Sequence, residues 1–195
     1  MSTEDKIHNL RLQLWSASQI LRGSAVDRTD WKGYILPLIF MKRICDVWDE
    51  ELQSARDMYG DSAPSSFEEI HRFQVPTGHH WEDLRETTTN VGYAIQQSMQ
   101  EIERANPDTL DRVFGLSDWA NREKFTDELL KDLIDGFSQI NLGNNDVSTD
   151  MIGHAYEYLV GKFADVTRRK KAGEFYTPRS VVSMMVKLLN PSEGE

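Results

Sequence analysis

At 195 residues, 39% hydrophobic and 28% charged, the chain has enough apolar material for a buried core and is too apolar to be disordered throughout. Its net charge of −10 opposes nonspecific attraction to nucleic-acid phosphates, so any DNA role needs a local basic exception. The longest apolar run, YILPLIFM at 34–41, is well below the roughly 20 residues of a membrane helix, and MSTEDKIHNL lacks the basic start and apolar stretch of a secretory signal, which predicts a cytoplasmic chain without membrane association.

The apolar spacing is helical almost everywhere. Over 7–22 it aligns Leu10, Leu14 and Leu21 with Trp15 and Ile20, and Gly23 is the stop. A second helix is predicted from about Asp30 to Arg56, burying Ile35, Leu38, Ile39, Ile44, Val47, Trp48 and Leu52. Pro37 falls inside it, removes one backbone donor and crowds the Gly33 carbonyl, which predicts a kink or a late start. Cys45 is the single cysteine, so an internal disulfide is excluded, and its apolar neighbours place it in the core.

From Tyr59 to about Thr89, Gly60, Pro64, Pro76 and Gly78 mark an irregular connection. His79 and His80 are adjacent and cannot readily chelate one ion, so no metal site is expected, and Trp81 should pack the connection onto the helices. Helices resume at 90–104, with Asn90 as cap and Val91, Ile95, Met99 and Ile102 on one face, and at 125–142, with Thr126 as cap and Leu129, Leu133 and Phe137 aligned. At 150–166 one row holds Met151, Ala155, Leu159 and Phe163 and the next Ile152, Tyr156 and Val160. His154 and Glu157 lie three apart on that helix, a spacing read as structural.

The chemistry concentrates near the end. Arg168, Arg169, Lys170 and Lys171 are four consecutive cations, either a solvated loop or a local phosphate-binding run. AGEFYTPR follows at 172–179. Thr177 before Pro178 signals a helix start, and RSVVSMMVKLL continues with helical spacing to the Asn190-Pro191 stop. The first turn of such a helix suits a carboxylate or phosphate. Phe175 and Tyr176 suit either a hydrophobic staple or a face that stacks on a base or cation. No G-x-G loop, G-x-S-x-G elbow, C-x-x-C pair or H-E-x-x-H run occurs, so no catalytic residue is assigned.

GEFYTPRSVVSMMVKLLNP resembles the segment leading into the methyltransferase domain of the modification (M) subunits of type I restriction-modification systems. LWSASQILRGSAVDRTDWKGYILPLIFMKRICD, the 75–84 stretch with Trp81, and DMIGHAYEYLVGKFA are similar to further landmarks of that family in the same order. The resemblance implies transfer of a methyl group from S-adenosyl-L-methionine to adenine N6 in double-stranded DNA. It also implies assembly with a specificity subunit, a restriction subunit and a second M subunit. It places Glu174, Phe175, Tyr176, Thr177, Pro178 and Arg179 at the cofactor. Because the net charge of −10 opposes wrapping DNA phosphates, most of the chain is expected to face protein, with Arg168, Arg169, Lys170, Lys171 and Arg179 the part nearest cofactor or DNA.

The implied fold is mainly α, a helical bundle over 1–165 with little or no β, then a basic linker and the first helix of a truncated α/β methyltransferase domain over 166–195. Such a chain is expected to be inactive alone. The alternatives are a free-standing helical interaction module and a single-chain DNA adenine methyltransferase.

Overall fold

The computed structural model describes residues 3–60, 70–168, 177 and 179–192, and among these the backbone is helical with no strand. Helix α1 (Thr3–Ser18) runs into a 3-10 turn (Gln19–Gly23) that ends at the predicted glycine. There follow α2 (Lys32–Tyr59), α3 (Trp81–Glu86), α4 (Val91–Ala105), α5 (Pro107–Leu110), α6 (Asp127–Ser138), α7 (Thr149–Arg168) and α8 (Arg179–Leu189). α1 packs on α6 and α7, α2 on α3 and α7, and α4 on α3, α5 and α6.

All seven residues expected on the inner side of α2 are buried, as are the four expected on α4. On α6, Leu133 and Phe137 are buried as expected, joined by Leu130 and Ile134, while Leu129 is only partly covered. At the other end of the core, Tyr34 meets Trp119 and Phe125 edge-on with ring centroids 5.1 Å apart in each case, and Trp119 stacks on Phe125 at 5.6 Å. Aromatic pairs at these separations add to the burial of their area.

Pro37 lies within α2, five residues after the helix begins at Lys32. It has no N–H for the Gly33 carbonyl, and the Ser117 hydroxyl donates to that carbonyl instead. A serine 84 residues away thus replaces the missing helical donor.

Asn90 stands at the head of α4 as expected, but its side chain does not cap. Its backbone is left-handed (φ 54°), and its side-chain carbonyl oxygen accepts from Arg122. The Asp127 carboxylate accepts from the Asn90 and Val91 N–H groups, at 3.0 and 2.8 Å. Asp127 opens α6, where the predicted cap does hold, with Leu129 N–H donating to Thr126 Oγ1 at 3.2 Å.

The 70–90 region contains α3, which periodicity did not predict because only six residues form it. Its head is closed locally, the His80 N–H donating to Asp83 Oδ2 at 2.8 Å. Trp81 packs the region down as expected, and its indole N–H donates to Ser138 Oγ at 2.8 Å.

Cys45 is fully buried on α2, and burial pushes its thiol up from 9.0 to about 12. The native thiol is therefore expected to resist a water-soluble disulfide reagent near pH 8 and to react at the rate of unfolding. Above pH 9 the unfolded thiol loses a proton that the folded one keeps, so stability should fall as pH rises from 9 toward 12, by about 1 kcal/mol per pH unit from this group. Urea titrations of the parent and Cys45→Ala chains across that range check it, the variant showing the shallower loss.

Candidate functional site

Helix α7 ends at Arg168, the first residue of the predicted site. Met151, Ala155, Leu159 and Phe163 turn one row of that helix into the core, with Phe163 against Trp15 at 5.8 Å. The second row lies outward, Ile152 and Val160 partly covered and Tyr156 exposed. The entry to α7 is clamped onto α2 by polar side chains at helical spacing. Asp46 Oδ2 accepts the Leu142 N–H at 2.8 Å, and Glu50 accepts the N–H groups of Asn144 at 2.6 Å and Asn145 at 3.1 Å. Arg43 reaches the same turn from one residue-row away, donating to the carbonyls of Leu142 and Val147 and to Asn144 Oδ1. Burial lowers the Arg43 guanidinium from its usual value, with Glu50 and Asp46 opposing the shift.

Lys42 completes the stripe. It is buried, forms an ion pair with Asp46 at 2.7 Å and lies 5.3 Å from the centre of the Trp81 ring. A buried lysine is tolerated because a carboxylate and an aromatic face both meet its charge. Within the stripe 42, 43, 46 and 50 the sequence shows one pair of opposite charges four residues apart, Lys42 and Asp46, but the partner of the stripe, the 142–147 turn, lies about a hundred residues away and leaves no local trace.

Beside the clamp, α2, α7 and residues 72–73 enclose a cavity of about 200 Å³. Phe40, Ile44, Phe73 and Ile152 form its apolar wall, and Arg43, Arg72 and Tyr156 stand around it. The Arg43 guanidinium is already taken up by the 142–147 turn, so the cavity is chiefly an apolar one. The histidines of the 70–80 region serve the fold, His79 meeting Ser98 Oγ at 3.1 Å and His71 stacking on Trp48 at 4.3 Å.

Of the sequence-predicted site, Arg168 closes α7, Thr177 is exposed, and Arg179 opens α8. Arg169, Lys170, Lys171, Glu174, Phe175, Tyr176 and Pro178 lie outside the described residues. The helix predicted after Thr177-Pro178 is present, and its apolar residues are solvent-exposed, from Val181 to Leu189 at 75%.

Residues 10–137 match the family model described as HsdM N-terminal domain. The chain belongs to that family. Beyond the HsdM N-terminal domain, residues 147–195 match the model described as N-6 DNA Methylase. Curated relatives include the type I restriction enzyme MjaIX methylase subunit of Methanocaldococcus jannaschii, 26% identical over 93% of this chain and 35% of its own length. The StySJI methylase subunit of Salmonella typhimurium is 24% identical over 96% of this chain and 31% of its own. The chain thus spans about a third of the length of these relatives. A crystal structure of a type I restriction-modification system methyltransferase subunit from Streptococcus thermophilus shares the fold, with a TM-score of 0.65, 21% identity, and coverage of 96% of this chain and 44% of that one.

The two matches divide the chain between α6 and α7, whereas packing assigns α7 to the helical body. Its row from Met151 to Phe163 is part of the same core as α1 and α2.

Proposed function

We propose that the chain is the amino-terminal part of a type I modification subunit that, in its full length, transfers a methyl group from S-adenosyl-L-methionine to adenine N6 in DNA. The observation that carries this is the order of the two family matches, HsdM N-terminal domain over 10–137 and N-6 DNA Methylase over 147–195. In this reading residues 1–165 form the helical domain, which docks on the specificity subunit, and 166–195 form the basic linker and the first helix of the catalytic domain. The restriction subunit, a second M subunit and double-stranded DNA complete the cytoplasmic assembly.

The residues present fit the cofactor. α8 is eleven residues long, and it starts two residues after an exposed threonine, so its unpaired first-turn N–H groups suit the carboxylate of an amino-acid moiety. Phe175 or Tyr176, immediately before it, would cover the adenine ring or the sulfonium, with Glu174 and Arg179 at the margins. When bound, S-adenosylmethionine supplies the electrophilic methyl group. Because adenine N6 is paired and stacked in a duplex, the target base must be rotated out to reach it.

The test is to express the full-length subunit with its specificity subunit and to assay DNA for N6-methyladenine by mass spectrometry after incubation with labelled S-adenosylmethionine. Site-specific N6-methyladenine is expected; its absence from that assembly would overturn the reading. Methylation without any specificity subunit would favour a single-chain enzyme instead. In the same assembly, replacing Arg168, Arg169, Lys170 and Lys171 with alanine should weaken DNA binding and flatten its salt dependence by about 0.9 in slope for each phosphate no longer neutralised. An unchanged slope would return the run to a solvated loop.

A further inference from the structure

The cavity beside the clamp is walled by stretches that lie far apart in the chain, α2, α7 and residues 72–73. Of its lining residues Ile44 and Val47 are buried, while Phe40, Phe73 and Ile152 are only partly covered and Tyr156 is exposed. Half-covered apolar side chains brought together from three segments form a patch that a partner can finish covering. At about 200 Å³ the cavity is smaller than the roughly 300–1,000 Å³ of sites that enclose a whole small molecule. It suits a single side chain.

The walls do not readily close over the gap. Arg43 is fixed by the carbonyls of Leu142 and Val147 and by Asn144, which ties the α2 wall to the turn at the head of α7. On the other side the Arg72 N–H donates to Glu51 Oε2 at 3.1 Å and His71 stacks on Trp48 at 4.3 Å, so residues 71–72 are pinned to α2 as well. The cavity is therefore preformed, which lowers the cost of filling it. Its charge is one-sided, since no carboxylate lines it among the described residues. The Arg72 side chain is exposed, lies 5.4 Å from the centre of the Phe73 ring and forms no ion pair among those residues. In a chain of net charge −10, a guanidinium left without a carboxylate at the edge of an apolar cavity fixes the sign of the group that meets it.

We propose that this cavity is a docking site for a partner protein that presents a leucine or phenylalanine with an aspartate or glutamate beside it in sequence. The apolar side chain lies against Phe40, Ile44 and Ile152, and the carboxylate accepts from the Arg72 guanidinium, whose planar fork matches it. One anchor seated in a preformed pocket, with a charge pair at its edge, is enough to carry much of an interface. A single unpaired guanidinium does not offset the net charge of −10, which disfavours nucleic acid here. The inference is independent of the methyl-transfer reading.

The test is a titration of the chain, ¹³C-labelled at its isoleucine methyl groups, with N-acetyl-aspartyl-leucine N-methylamide, following the resonances of Ile44 and Ile152. A saturable displacement of both in the millimolar range is expected, at least tenfold weaker for the lysyl-leucine analogue, for the aspartyl-alanine analogue and for the Arg72→Glu chain. Arg72 is exposed, so its glutamate variant keeps the fold and the experiment decisive. No saturable displacement would overturn the proposal, and so would equal binding of the lysyl analogue or equal binding by Arg72→Glu. Tighter displacement by isocaproate would also overturn it, by assigning the cavity to a small amphiphile, as would displacement of the same resonances by a short DNA duplex at lower concentration.

Discussion

Gly92→Ala is expected to destabilise the fold by about 3 kcal/mol, the upper end of ordinary overpacking, in urea denaturation. Helix propensity argues the other way, since alanine inside a helix is favoured over glycine by about 1 kcal/mol. Contact geometry decides between them. A Cβ on Gly92 would overlap the backbone carbonyl of Trp119 and approach Leu130 Cδ1 to 3.1 Å. Backbone cannot swing aside as a side-chain tip can, and the Trp119 side chain is locked between two rings. α4 therefore rests on the chain at residue 119 at a distance only glycine permits. Gly153, on the exposed side of α7, is the matched control, because a Cβ there meets nothing within 4 Å. Gly153→Ala is expected to stabilise by about 0.5–1 kcal/mol. Shifts of the same sign at both positions would show that propensity, not the close approach, governs Gly92.

These contrasts show where the sequence was legible. Apolar spacing located α1, α2, α4, α6, α7 and α8 to within a few residues, because burial of one face is a local, repeating demand. It also grouped α7 into two rows, Phe163 in one and Tyr156 in the next, and burial shows that the first faces the core. The parts it missed depend on partners far away in the chain. Asn90 looked like a cap, but the carboxylate that does the capping belongs to Asp127, 37 residues on. Pro37 predicted a defect in α2, and nothing near it predicts that Ser117 repairs the missing hydrogen bond. At the candidate site the predicted helix is present, beginning at Arg179, and periodicity gave its apolar residues. Periodicity states which residues share a face and not what covers it, so the exposure of Val181 to Leu189 was not readable in advance.

The α2 clamp is the other place where one substitution should have a large effect. Arg43→Ala is expected to cost about 2–3 kcal/mol, since it strands the carbonyls of Leu142 and Val147 and frees Asn144. Arg43→Lys should recover little of this, because a single ammonium cannot reproduce the fork that reaches three acceptors. Glu50→Ala removes the acceptor for two backbone N–H groups of the same turn, so the double variant should lose less than the sum of the singles. The effect should also be local. Hydrogen exchange at the amides of Leu142, Asn144 and Asn145 is expected to accelerate at least tenfold in Arg43→Ala, while Ile95 and Met99 in α4 keep their protection. Equal acceleration throughout would mean that the clamp supports the whole core and not the junction. Selective acceleration would mean that the clamp holds the 142–147 turn, and with it the head of α7, onto α2.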